Sequence, residues 1–187
     1  LQVSPSATLA LSTKAKKMMA QGIDVINLGV GEPDFHTPAH IKQAAIQAIK
    51  DGKSDFYTPA SGILPLKQAI CSRLQQDFGV AYQPNQVAVT VGGKFSLYVL
   101  AQVLLNPGDE VLIPLPYWVS YGEQVKLAGG KPVFVYPTEN GHVSVEQLEA
   151  KRTAKTKAVI INSPQNPSGL IYTRQELTAI GNWAVEH

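Results

Sequence analysis

Lys157-Ala-Val-Ile-Ile-Asn-Ser-Pro-Gln-Asn-Pro-Ser-Gly169 decides the reading of this chain. An apolar, β-branched run with no alternation reads as a strand buried on both faces. It opens into a loop in which Asn166 stands between Pro164-Gln165 and Pro167. Proline fixes its own φ and restricts the residue before it, so the backbone around Asn166 is aimed rather than mobile.

Upstream, strand and helix patterns alternate. Glu110–Ile113 and Pro132–Tyr136 read as strands, with a helix over Trp118–Ala128 between them. Val87–Val91 is a short β-branched run expected to form a strand leading into a helix over Phe95–Leu105, which Asn106-Pro107-Gly108-Asp109 closes. Ser144 with Gln147 and Thr173 with Glu176 are capping boxes that open two further helices, and the strand Ala158–Ile161 lies between them. Pro38–Lys50, capped by Thr37 and stopped at Gly52, and Leu64–Phe78, stopped at Gly79, carry helical apolar spacing. Strands joined through helices predict a three-layer α/β architecture: a mostly parallel sheet with helices on both faces. The first 60 residues differ. Pro5, Pro33, Pro38 and Pro59 punctuate an extended stretch with two short helices. The expected division is an N-terminal arm and small-domain segment over 1–50, then part of a large domain over 51–187.

Composition narrows the function classes. Sixteen basic against 14 acidic residues leave a net charge of +2, without the clustered basic face that nucleic acid or a membrane surface requires. No apolar run approaches the roughly 20 residues that span a bilayer. Leu1–Lys17 lacks the apolar core of a signal peptide. The chain starts at Leu rather than Met, which fits removal of a leader. Cys71 is the single cysteine and has no internal partner for a disulfide, as expected of a cytoplasmic protein. No metal-ligand spacing is present.

Several places carry chemistry. Val87-Ala-Val-Thr-Val-Gly92-Gly93-Lys94 places glycines and a helix start together, which suits a phosphate approached by free N–H groups. It lacks the spacing of a P-loop, and a plain strand–helix turn is its bland alternative. Trp118, in Pro116-Tyr117-Trp118, follows a strand end, where ligands bind in open α/β sheets; its indole can stack on a planar ring, or simply pack at a helix start. The Asn166 amide can donate to a phenolate oxygen and favour its charged form, or cap a turn. Gly31, within Gly29–Phe35, lets a backbone N–H meet a carboxylate, and Tyr57, within Phe56-Tyr57-Thr58-Pro59, offers a phenol to a phosphate. Each of these two also reads as an ordinary loop residue.

Taken in order, the runs Gly-Glu-Pro-Asp-Phe, Tyr-x-Pro, Gly-Gly-Lys, Pro-Tyr-Trp-Val-Ser-Tyr and Asn-Ser-Pro-x-Asn-Pro-x-Gly resemble the class I (fold-type I) pyridoxal-phosphate aminotransferases, those for aspartate of the bacterial type above all. The likeness extends from about Ser4 to the last residue and corresponds to the N-terminal half of such an enzyme. It implies pyridoxal 5'-phosphate as cofactor, an amino acid and a 2-oxo acid as substrates, and a homodimer. It further implies that Gly92, Gly93 and Lys94 start the phosphate-binding helix, that Trp118 stacks on the cofactor ring, and that Asn166 bonds the ring hydroxyl oxygen. Tyr57 would reach the phosphate in the neighbouring subunit. Gly31, Lys94, Trp118 and Asn166 would contact substrate, Lys94 by pairing with the distal carboxylate of a dicarboxylic amino acid. Ser6 and Thr8 would help close over it. The resemblance places the Schiff-base lysine beyond residue 187, so no catalytic residue is assigned here and the segment by itself is expected to be inactive. Aspartate with 2-oxoglutarate is the expected pair, and prephenate an alternative acceptor. Decarboxylases and carbon–sulfur lyases share the cofactor motifs. A cofactor-sensing domain of a transcription regulator is the non-enzymatic alternative, although nothing in this sequence resembles its DNA-binding module.

Overall fold

The computed structural model describes residues 4–29, 31–53 and 55–187, with Ala7 described by its backbone alone. Val30 of the Gly29–Phe35 run and the first three residues of Leu1–Lys17 lie outside the described residues. By backbone proximity the chain divides into two compact units. One takes in Gly93–His187 with the N-terminal residues up to Ser6, the other Ala7–Gly92.

The first unit is built on three parallel strands, β1 (Glu110–Pro114), β2 (Lys131–Val135) and β3 (Thr156–Val159), in the order β2-β1-β3. All five residues of the central strand are buried, as a strand covered on both faces must be. Alternation along it feeds two cores. Leu112 faces Val135, Val143, Leu148, Tyr172, Ile180 and Trp183, whereas Val111 and Ile113 face Val125, with Leu105, Phe134 and Ile160 packed against them. Each fully buried aliphatic side chain here contributes about 1.5–3 kcal/mol by leaving water.

Helices close the layers: α4 (Gly93–Leu104), α5 (Ser120–Leu127), α6 (Val145–Glu149) and α7 (Arg174–Glu186). Both expected capping boxes are present. The Ser144 N–H donates to the Gln147 side chain, and the Gln147 N–H returns a bond to the Ser144 hydroxyl. Thr173 and Glu176 reciprocate in the same way. Glu176 also meets His142 Nδ1 at 2.8 Å, and the His142 ring stacks on Tyr172. The N–H and hydroxyl of Thr173, then His142, hold the Glu176 carboxyl down to about 2. Arg152 and the Trp183 indole N–H do the same for Glu149, also to about 2, and the Trp183 bond ties α6 to α7.

In the second unit, α1 (Ala7–Ala20), α2 (Ala39–Lys50) and α3 (Leu64–Phe78) are joined by segments without regular structure, and a 3-10 turn at Pro84–Gln86 follows α3. Gly79 ends α3 with φ +69°, a left-handed conformation that glycine adopts without penalty.

Four expectations are corrected. Val87–Val91 is not a strand: the Val89 N–H donates to Ser61 O at 3.0 Å, and no ladder partner for the run lies among the described residues. A β-branched run becomes a strand only beside a neighbour that takes up its backbone groups. The cap residue of α2 is Pro38, without a side-chain bond, rather than Thr37. The helix expected over Trp118–Ala128 begins at Ser120, which leaves Trp118 in the loop. Finally, β3 starts two residues before Ala158 and ends at Val159, although the Ile160 N–H still donates to Leu112 O at 3.0 Å.

Candidate functional site

Parallel strands point their carboxyl ends to one side, so the loops that follow neighbouring strands share that side. Here β1 delivers Leu115–Val119 and β3 delivers Ile160–Ile171. The first loop carries Trp118 and the second Asn166. The two are cross-linked. Gln165 is 7% exposed, and its Nε2 donates to Pro116 O at 2.6 Å across 49 residues of sequence. Its Oε1 accepts the Ser168 hydroxyl at 2.5 Å. The Gln165 backbone closes the turn, donating to Leu170 O at 2.8 Å and accepting from Gly169 N–H at 2.7 Å. The peptide bonds Ser163–Pro164, Asn166–Pro167 and Leu115–Pro116 are cis.

A second link runs beside the first. Asn162 Oδ1 accepts the Asn166 backbone N–H at 3.1 Å and the Tyr121 hydroxyl at 3.4 Å. The Tyr121 ring in turn meets Trp118 edge-on, with centroids 5.4 Å apart and planes at 88°. Burial raises the Tyr121 phenol above its usual value, so it remains a neutral donor at physiological pH. Lys94 Nζ stands 4.8 Å from the centre of the Trp118 ring, a cation–π contact. That lysine lies in the first turn of α4, which α5 anchors through Gln124: its side chain is 7% exposed and donates to Lys94 O at 2.8 Å. Lys94, Trp118 and Asn166 are thus tied into one framework at the carboxyl edge of the sheet.

Of the other expected site residues, Gly93 opens α4 within the same unit. A Cβ added at Gly93 would meet nothing within 4 Å, so no side chain crowds the first residue of α4. Gly92, at φ +88°, belongs with Gly31 and Tyr57 to the second unit. Gly31 is exposed, with open space where a Cβ would stand, and Tyr57 is fully exposed. Thr8 lies in the first turn of α1, and Ser6 just before it. Among the described residues no cluster of three His, Cys, Asp or Glu could hold a metal ion, and no helix is long and apolar enough to cross a membrane.

The motif reading passed over Gln165, Asn162, Tyr121 and Gln124. The first stood in the loop as the variable residue between Pro164 and Asn166. Its signal is a glutamine just beyond an apolar, half-buried strand, where a long amide that becomes buried must find partners. A mostly apolar groove of about 200 Å³ between α4, α5 and the sheet is lined by Leu97, Leu100, Leu104 and Val125, with Tyr121 and Gln124 as its polar side chains.

Known proteins share this sequence pattern and fold. Residues 23–187 match the family model described as aminotransferase class I and II. The chain is 55% identical to an aspartate aminotransferase of Bacillus sp. (strain YM-2), covering 99% of this chain and 47% of that protein. It is 50% identical to the asparagine–oxo-acid transaminase of Streptococcus mutans, over 100% of this chain and 48% of that one. The solved aspartate aminotransferase of Thermus thermophilus with maleate superposes with a TM-score of 0.94 at 42% identity, over 99% of this chain and 49% of that one. The chain therefore spans about half the length of the curated relatives it matches.

Proposed function

This chain belongs to the class I and II aminotransferase family, and we propose that the protein it comes from moves an amino group between aspartate, or another dicarboxylic amino acid, and a 2-oxo acid such as 2-oxoglutarate. The observation that carries the reading is the joint anchoring of Lys94, Trp118 and Asn166 at the carboxyl edge of a parallel sheet, beside an open helix start.

The family's cofactor is pyridoxal 5'-phosphate, and the residues present fit it. A dianionic phosphate suits the uncrowded start of α4 at Gly93 and the positive end of that helix. A flat heteroaromatic ring suits the indole of Trp118, and a ring oxygen suits the exposed Asn166 amide. When bound, the cofactor supplies an electron sink for chemistry at the amino acid's α-carbon. The protein segment supplies binding, orientation and electrostatics. Asn166 donates to the ring oxygen and favours its ionised form. Trp118 fixes the plane of the ring. Lys94 presents an ammonium to the distal carboxylate, and the Gly31 N–H contacts the α-carboxylate. Ser6 and Thr8 belong to the segment that closes over the substrate. Tyr57, wholly exposed, serves the phosphate of a neighbouring subunit in a homodimer. In this reading 1–50 is arm and small-domain segment, 51–187 is part of the large domain, and the protein works in the cytoplasm.

The Streptococcus mutans relative favours a second donor, asparagine, whose side chain is neutral. The experiment is a coupled assay of the whole protein, loaded with cofactor, on aspartate, asparagine and alanine with 2-oxoglutarate. The reading predicts aspartate as the best donor. Turnover of asparagine alone would move the assignment to the second reading, and turnover of none would remove it.

A further inference from the structure

The two cross-links between the loops have a bearing on function, if the cofactor reading above is granted. Asn166 is exposed, and an exposed amide on a loop does not hold one direction by itself. Two residues that precede it in the chain supply what it lacks. Gln165 is buried and uses all four of its polar positions: side-chain nitrogen to Pro116 O, side-chain oxygen from Ser168, backbone N–H to Leu170 O, and carbonyl from Gly169. Pro116 lies two residues before Trp118. The bond from Gln165 therefore sets the spacing between the two loops one residue from Asn166 and two residues from Trp118 in the chain. Asn162 adds the second constraint, since one oxygen holds the Asn166 N–H and the Tyr121 hydroxyl, and Tyr121 supports the indole edge-on.

We propose that Gln165, seconded by Asn162, is a positioning residue that fixes the Asn166 amide relative to the Trp118 ring. Neither side chain touches cofactor or substrate in this account. They act through Asn166. Loops with fixed spacing present their groups without reorganisation when a ligand arrives, which is the advantage of a prearranged site. Loss of the Gln165 link lets the two loops drift apart, and the Asn166 hydrogen bond to the ring oxygen weakens with it.

The test uses the whole protein reconstituted with pyridoxal 5'-phosphate, and follows the cofactor's visible band against pH and its dissociation constant. Gln165→Met keeps the length of the side chain and removes its donor and acceptor. It should raise the pH midpoint of the band by less than Asn166→Ala does, and weaken cofactor binding about two- to tenfold, the range for one net hydrogen bond. In the Asn166→Ala background the same substitution should add no further shift, because the residue acts through that amide. Lys94 and Tyr121, the titratable groups around Trp118, stay unchanged in every variant. If Gln165→Met does not fold, Asn162→Ser carries the same expectation at a more accessible position. An unchanged midpoint in the single variant, or an equal shift with and without Asn166, overturns the proposal. Failure of Asn166→Ala itself to move the midpoint points instead to failure of the cofactor reading, so the two are told apart.

Discussion

Two stretches of this chain carry similar apolar periodicity and use it differently. In Gly93–His187, ten hydrophobic side chains are buried, from Val111 on the central strand to Trp183 on α7. In Ala7–Gly92 no described residue is buried, although α2 and α3 have the same kind of amphipathic face. Ile49 is 66% exposed and Leu64 is 56% exposed. Periodicity specifies a helix and a face but not a cover for that face. The first stretch has its cover in a sheet whose two sides receive α5 and α6 with α7. Most helical stability in proteins comes from such packing rather than from intrinsic propensity.

The largest effect should separate the two stretches directly. Leu112→Ala removes a wholly buried side chain and should cost about 2–5 kcal/mol in denaturant unfolding. Ile49→Ala should cost less than about 1 kcal/mol in the same 187-residue chain, as surface substitutions usually do. Equal losses would mean that the second stretch has a core after all.

A substitution in each stretch sharpens the functional side. Lys94→Ala in the whole protein should lower kcat/KM for aspartate by about one to two decades, the value of a charge-assisted hydrogen bond of about 1.5–3 kcal/mol. Activity on alanine should fall much less. Equal losses would leave Lys94 supporting α4 and nothing more. Tyr57→Phe, in the other stretch, should weaken cofactor retention while leaving substrate selectivity alone. Sedimentation should show a dimer for both wild type and variant, and a fully active monomer would contradict the role of Tyr57.

How much of this was legible in the sequence depended on where the cause of each feature lies. The capping boxes at Ser144 and Thr173 were read correctly because a cap is decided by residues three apart. The β1 and β2 strands were read to within a residue because a continuous apolar run flanked by turn residues has few other uses. Val87–Val91 has strand composition without being a strand here, because a strand depends on a neighbour that composition does not name. Helical apolar spacing continues backwards through Trp118 past the true start at Ser120, so the sequence alone does not mark that boundary. At the site, the motifs name the residues proposed to face a ligand. They did not identify Gln165 and Asn162, whose partners Pro116 and Tyr121 lie 49 and 41 residues away.

A smaller effect concerns acid. Glu149 and Glu176 titrate at about 2 when folded, below the ordinary carboxylate value of 4.5. Lowered folded values mean that their contribution to stability is complete above about pH 4.5 and fades as pH falls towards 2. Trp183 donates to Glu149, so its fluorescence should report that loss in the first stretch. Glu149→Gln should reduce the acid dependence over that interval. An unaltered acid profile would show that the carboxyl's bonds to Arg152 and Trp183 add nothing to folding.

The central claim is that the carboxyl edge of the sheet holds the ring of pyridoxal phosphate between Trp118 and Asn166. Its most direct test is a spectroscopic pH titration of the loaded whole protein against its Asn166→Ala variant. An amide that donates to the ring oxygen favours the ionised form and lowers its pKa, so removing the amide should move the midpoint to higher pH. A variant that retains the cofactor and titrates at the wild-type midpoint would contradict the claim.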